Sequence, residues 1–414
     1  VFGDWSSDVC SSDLVGLTFK LEKIDWDLIS QRMWSQINEN QEIEHSLSQA
    51  TNLTIYKGTG EFTDKFQIRV KMNKDGHYSE EFKGLRFVIA SGARSIIPPI
   101  KGIQEVDYIT SETFFGEKFP KNPWKSLIII GGGVIAAEFA HMFSAFGTKV
   151  TIIEMLPRLV STEEPEISAI LENQMKKMMR VLTNNKAISA RIEANEKVVE
   201  VEDIKTGKKH EIRAEEILLA TGRRSNADIL HVEKCGISID KQGWIITNPF
   251  LETNIKNIWA IGDANGKYQF RHKANHDAEI CVQNIFGAEK KSVEYSAVPW
   301  AIYTHPTIAH VGLTEQEAIE QGHLIYAAQK TYSSVAKGFA MGFEKSQTME
   351  NDGIFKLIVD QNYRILGAHA IGPQADVLIQ PFVYLMNAGF TCSVEESTIS
   401  QNLPKLAFAC PEAG

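Results

Sequence analysis

Six residues, Gly131-Gly132-Gly133-Val134-Ile135-Ala136, fit the spacing G-x-G-x-x-A, and the chemistry they offer is that of bare backbone. The first glycine permits a tight turn, the second lets peptide approach a pyrophosphate, and the small residue at Ala136 lets a helix pack closely on a strand. Phosphates held there meet the unpaired amides and positive dipole end of the helix that follows. Glu154 stands roughly twenty residues on, where a carboxylate accepts hydrogen bonds from ribose hydroxyls and repels a 2′-phosphate. That favours NAD over NADP, and the nearby Arg158 works against the preference. Two shorter turns add weak signals of their own: Ala220-Thr221-Gly222-Arg223 and Ala260-Ile261-Gly262-Asp263 each close an apolar run with glycine.

The elements needed to position these residues are legible around them. Leu127-Ile130 is an uninterrupted apolar run that suits a strand buried on both faces. Val134-Phe146 has the pattern of a helix, with Gly147 placed to stop it, and Lys149-Glu154 reads as a second strand. Strand, glycine turn, helix and strand make a βαβ unit and imply a parallel sheet. Earlier, Asp25 to about Ala50 has helical periodicity, followed by strand-like runs Leu53-Tyr56, Phe66-Val70 and Phe87-Ala90. Ile97-Pro98-Pro99 and Pro120-Lys121-Asn122-Pro123 are loop or linker sites, because proline fixes φ and donates no amide. Glu216-Ala220 and Ile258-Ile261 are further buried-strand runs. From about Val293 the pattern changes to shorter strands and one helix candidate, Ala375-Ala388.

Composition bounds the class. The chain has 414 residues, 43% of them hydrophobic and 23% charged, which gives two or three domains with a real core and excludes a disordered chain or a collagen. A net charge of -9 without a long basic run argues against a nucleic-acid partner. The longest uncharged run, Ser126 to Ala137, is broken by glycines and too short for a membrane span. Cys10, Cys235, Cys281, Cys392 and Cys410 form neither C-x-x-C nor C-x-x-x-x-C, so they read as single thiols in a reducing cytoplasm. Ser6-Ser7-Asp8-Val9-Cys10 and Ser11-Ser12-Asp13-Leu14 form a near-repeat that reads as a non-native scar over residues 1–14.

As an ordered set, Ala90-Ser91-Gly92-Ala93-Arg94, the glycine turn, Ala220-Thr221-Gly222-Arg223-Arg224 and Ile261-Gly262-Asp263 resemble the FAD-dependent pyridine nucleotide-disulfide oxidoreductases. The stretch Tyr303-Thr304-His305-Pro306-Thr307-Ile308-Ala309-His310-Val311-Gly312-Leu313-Thr314-Glu315 is similar to the start of that family's dimer-interface domain. Ile365-Leu366-Gly367-Ala368-His369 and Ile371-Gly372-Pro373-Gln374-Ala375 extend the match. The dihydrolipoamide dehydrogenase branch fits first and the mycothione reductase branch second.

The resemblance implies an α/β fold with two Rossmann-like dinucleotide-binding domains, the FAD one incomplete, and a C-terminal α+β dimerisation domain. It divides the chain into 1–124 (partial FAD-binding), 125–247 (NAD-binding), 248–292 (return to the FAD-binding domain) and 293–414 (dimer interface). By the same resemblance Gly131, Gly132, Gly133, Val134, Ile135, Ala136, Glu138, Glu154 and Gly222 would hold NAD. Gly60, Ala90, Ser91, Gly92, Gly262, Asp263, Gln269, Phe270, Arg271 and His272 would lie along FAD, Asp263 accepting from a hydroxyl.

The implied activity is an FAD-dependent NAD(H):disulfide oxidoreductase working as a homodimer on a small disulfide or lipoyl-type substrate. A mycothione or glutathione reductase is the alternative within the class. Two departures qualify this. The family begins with its own G-x-G-x-x-G and a C-x-x-x-x-C redox pair, which nothing before Asp25 supplies, so the chain reads as truncated at its N-terminus. The family also ends with a His and, five residues later, a Glu, and the matching positions here are Ser400 and Lys405. Serine does not titrate near neutrality, and lysine would repel an imidazolium. An incomplete or inactive enzyme, a diaphorase, or a non-catalytic nucleotide-binding dimerising module are the readings these departures open.

Overall fold

Leu127, Ile128 and Ile129 have no polar group to offer water, and all three are fully buried in the strand Ser126–Ile130. In the computed structural model, which describes residues 22–343 and 352–389, this strand pairs in parallel with Glu216–Leu219 on one side and Lys149–Ile153 on the other. Arg180–Leu182 continues the sheet in the same direction. The helix Val134–Ala145 crosses between the two central strands and ends where Gly147 takes the left-handed conformation at φ 82°. A βαβ unit therefore stands where the apolar and glycine spacing places it.

The chain divides into two compact units, one from Ile97–Thr221 with the described residues from Tyr295 onward, the other from Glu22–Ile96 with Gly222–Glu294. In the first unit the parallel sheet is accompanied by an antiparallel meander, Asn185–Glu193, Glu196–Asp203 and Lys209–Ala214. Ile128, Ile130, Val199, Val201 and Ile217 share one core. The same unit holds a five-stranded antiparallel sheet in the order Pro299–Ile302, Ile308–Gly312, Ile365–Ile371, Ile354–Asp360, Ile325–Thr331. Its own core joins Ala309, Val311, Leu357, Val359 and Ala370 to Ile379 and Val383.

The second unit contains the long helix Trp26–Ser48, capped where the Asp25 carboxylate accepts from Leu28 N at 3.1 Å. A hairpin follows, Gly58–Asp64 with Gln67–Met72. Phe87–Ile89 pairs in parallel with Ile258–Ala260, and Ala93–Ser95 pairs antiparallel with Arg223–Ser225. Phe62, Ile89, Val232, Ile245, Ile258 and Ala260 form the core of this unit.

Two expected elements differ. Leu53-Tyr56 is not a strand: its apolar side chains are exposed and no strand among the described residues pairs with it, while the strand begins instead at Gly58. The single helix expected over Ala375-Ala388 is two, Ala375–Leu378 and Gln380–Asn387, because Pro381 has no amide to continue the first and sits in the first turn of the second. Among the described residues no helix is long and apolar enough to cross a membrane.

Candidate functional site

The turn Gly131-Gly132-Gly133 is built so that side chains are excluded where it meets the sheet and absent where it faces outward. Gly131 has φ 112°, and a Cβ there would strike the carbonyl oxygen of Ala220 at the end of the neighbouring strand. At Gly132 a Cβ would meet Glu154 Cγ and Leu159 Cδ2, each at 2.8 Å. At Gly133 it would meet nothing within 4 Å. Gly133 is also the N-cap of the helix and supplies no side-chain cap, so the helix start is open to a ligand's oxygens. Ala136 is completely buried, as close helix–strand packing demands, and Val134 and Ile135 are partly exposed beside it. Open space over Gly133 and an uncapped helix start are what a pyrophosphate requires, so this turn fits a dinucleotide.

Glu154 follows the strand Lys149–Ile153 and lies against Gly132, with its Oε1 accepting from Leu156 N at 2.6 Å. That contact fixes the carboxylate beside the turn. Arg158 donates to Ser161 O at 2.9 Å, which gives its guanidinium a partner within its own loop. Glu138, one turn into the helix, accepts from Tyr303 N at 2.9 Å, and burial pushes its carboxyl up from the ordinary range while that bond pulls the other way. On the next turn His141 is held down to about 4 by burial and then by neighbouring His305, and among the described residues its Nδ1 has no partner. The face of this helix formed by Glu138 and His141 is thus turned to the segment Tyr303 to His305, a juxtaposition that the local motif does not reveal.

The remaining expected residues lie in the second unit. Gly222 is there, with φ 105° and its carbonyl accepting from Ile96 N at 2.9 Å. The turn Ala90-Ser91-Gly92 leaves the strand Phe87–Ile89, and Gly92 has φ 65° with open space beside its α-carbon. Gly60, in the hairpin strand, is also open on that side. Gly262 starts a short 3-10 turn after Ile258–Ala260, and Asp263 within it pairs with Arg223 at 2.6 Å. Gln269 and Phe270 precede the helix Arg271–Phe286, on whose first turn Arg271 and His272 are exposed, with the rings of Phe270 and His272 stacked at 5.5 Å.

Ser91 Oγ and Asn265 Nδ2 are buried polar atoms without a partner among the described residues. They sit in the turns that follow the two parallel strands, at the end of an α/β sheet where ligands bind. An acceptor-rich polyol or phosphate chain would satisfy both, so the residues present fit the dinucleotide part of FAD. Lys273 and Asp277 fasten this region from beneath. Lys273 Nζ reaches Asp277 Oδ2 at 2.8 Å, Asn265 Oδ1 at 2.7 Å and Gly262 O at 3.1 Å, and Asp277 accepts from Gly262 N at 2.9 Å. The i,i+4 spacing of the pair was available in the sequence, but not its complete burial. Ser400, Lys405 and Cys10 lie outside the described residues. Cys235 and Cys281 are buried free thiols, pushed up by burial, Cys281 to about 11.

Comparison with known proteins accounts for most of the chain. A family model described as pyridine nucleotide-disulphide oxidoreductase matches residues 15–278, and the dimerisation domain of the same family matches 298–408. Mycothione reductase of Mycobacterium tuberculosis is 31% identical across 91% of this chain and 80% of its own length. The mitochondrial dihydrolipoyl dehydrogenase of Schizosaccharomyces pombe is also 31% identical, across 86% of this chain and 68% of that protein. Among solved structures, the HOCl-induced flavoprotein disulfide reductase RclA from Escherichia coli aligns with a TM-score of 0.76 at 26% identity, covering 94% of this chain and 84% of the other.

Proposed function

The chain belongs to the pyridine nucleotide-disulphide oxidoreductase family, and on that footing we propose that it is a flavoprotein of the dihydrolipoamide dehydrogenase type that exchanges electrons with NAD(H). Members of the family are FAD-dependent oxidoreductases that use NAD(P)H. The observation that carries the reading is the open, uncapped turn at Gly133 with Glu154 fixed against Gly132. In it Gly131 to Ala136 would receive the NAD pyrophosphate and Glu154 the adenosine ribose, and a carboxylate in that place favours NAD over NADP. On the second unit Gly92, Ser91 and Asn265 would lie along FAD. Asp263, steadied by Arg223, would keep its other oxygen for a hydroxyl. The bound cofactors supply the hydride chemistry, and the chain supplies placement and electrostatics.

The physiological acceptor on this reading is a small disulfide or lipoyl-type molecule, reached by a cytoplasmic homodimer. The five cysteines of the present sequence contain no C-x-x-x-x-C pair, so the purified chain is expected to reduce a dye or quinone from NADH and to leave lipoamide unreduced. The test is a visible spectrum followed by anaerobic NADH. A flavin band that bleaches supports the oxidoreductase, and a colourless protein that still binds NADH would replace it with a nucleotide-binding dimerising module. In the same titration Glu154→Ala should weaken NADH by about tenfold, the loss of a charged hydrogen bond, and NADPH by less. The opposite ranking would remove Glu154 from the site.

A further inference from the structure

Glu163, His310 and His369 come from three places in one unit: the loop before the helix Pro165–Met178, the strand Ile308–Gly312 and the neighbouring strand Ile365–Ile371. His310 and His369 are directly paired across the two strands, and all three side chains are buried. His310 Nε2 lies 2.7 Å from the carbonyl oxygen of Gly312, and His369 Nε2 lies 3.0 Å from that of Leu313. A carbonyl oxygen only accepts, so both rings must carry a proton on Nε2. Both Nδ1 atoms then point at one carboxylate: His310 at Glu163 Oε1 and His369 at Oε2, each at 3.2 Å.

Two ring lone pairs and a carboxylate therefore converge on one buried point, their ligand atoms all within 4.8 Å of one another. Such a set repels itself unless positive charge lies between. Protons can supply part of it, with one ring facing Glu163 as an imidazolium, but charging both rings would place them 4.2 Å apart, centroid to centroid, out of water. One dication supplies the same charge at a single point and leaves both rings neutral. We propose that Glu163, His310 and His369 bind a divalent transition-metal ion of the zinc class.

The chemistry of the set agrees. Two imidazoles and one carboxylate are a zinc donor set that leaves a fourth position for water, and a ring nitrogen held by a backbone carbonyl is the usual support for a metal-bound histidine. A cavity of about 570 Å³ has Glu163 in its wall along with Glu164, Glu166, Glu315, Glu317 and Glu320, against Arg158 and Lys356, so its lining is net acidic. The adjacent cluster Glu164, Glu166 and Glu315 is different, because Lys356 Nζ already sits among them at 2.6, 3.1 and 2.7 Å. That acid cluster already holds a cation of its own, which the histidine pair does not. Bound there, the ion would tie the loop ahead of the helix Pro165–Met178 to two strands of the antiparallel sheet.

The full chain, stripped of metal, is titrated with Zn²⁺ against a chromophoric chelator, and with Co²⁺ by difference absorption. One equivalent per chain is expected, with the visible bands of a nitrogen-ligated cobalt site. His310→Gln and His369→Gln keep a donor toward the carbonyl oxygens but remove the Nδ1 ligand, and each should weaken binding by about 100-fold or more. Glu289→Gln, at an exposed residue of the other unit, should leave the affinity unchanged. No uptake by the folded chain overturns the proposal, as does uptake that neither histidine variant alters. Ring ¹⁵N spectra showing both nitrogens of His310 and His369 protonated in the presence of Zn²⁺ would assign the charge to protons instead.

Discussion

Glu138 is a carboxylate placed where two influences oppose each other. Burial raises its pKa from 4.5, and the bond from Tyr303 N lowers it without cancelling the rise. In the folded chain this group therefore holds its proton more tightly than in the unfolded chain. The contribution of Glu138 to stability is greatest below pH 4.5 and declines as pH rises from there through the folded value, because the buried site resists the charge. Glu138→Gln keeps an oxygen for Tyr303 N and removes the ionisation. Its stability relative to the parent should be unchanged well below pH 4.5 and should climb above that until the folded carboxyl has ionised. Urea midpoints across that range check it, and a flat difference would mean that the carboxylate is solvated in the folded protein. The neighbouring His141, held down to about 4, is neutral through the same upper range and adds no competing charge there.

At the scale of elements, the turn Gly262–Asn265 is held less by its own backbone than by the helix beneath it. Lys273 and Asp277 have side chains with no exposure, and between them they bind Gly262 N, Gly262 O and Asn265 Oδ1. Burial pulls the Lys273 ammonium down, and Asp277 opposes that pull. Lys273→Met should cost about 3–5 kcal/mol, since it leaves Asp277 as an uncompensated buried charge. Exchanging both residues for Met and Leu should recover part of that loss but still leave Gly262 N without its acceptor. Chemical denaturation of the single and double variants separates the two contributions.

The contrast between this pair and the glycine turn explains what could be read in advance. The βαβ unit was legible because an apolar run, three glycines and a helical stripe are contiguous, and each demands its conformation locally. Leu53-Tyr56 misled because β-branched and aromatic residues suit a strand only where a partner edge exists, and the described residues provide none. Pro381 was visible, but the apolar periodicity continues across it and concealed the break. The burial of Lys273 with Asp277, and the meeting of Glu163 with His310 and His369, were not legible. Spacing cannot say that a helix face is fully buried, nor that residues 147 and 206 positions apart will meet.

For the whole molecule, the unit that contains the five-stranded sheet leaves apolar side chains uncovered on its short helices. Phe339 is 68% exposed, Val377 61% and Tyr384 69%, all within the stretch that matches the family's dimerisation domain. Val377 and Tyr384 stand on two helices in contact with each other, and exposed apolar groups so placed mark a surface that a partner buries. A second copy of this chain is the partner that the domain match implies, and a two-fold arrangement would use the same patch on both copies. The chain is therefore expected to sediment as a dimer at micromolar concentration. Tyr384→Glu places a charge at an aromatic anchor twice in each dimer, and at about 2 kcal/mol or more per anchor it should raise the dissociation constant by well over 30-fold. Leu85→Glu alters a side chain that is 89% exposed in the other unit and should leave the assembly unchanged. Sedimentation velocity of the three proteins decides the matter: equal dissociation for both variants would mean that any added charge loosens the chain, and no dissociation for Tyr384→Glu would move the dimer contact away from the helix Gln380–Asn387.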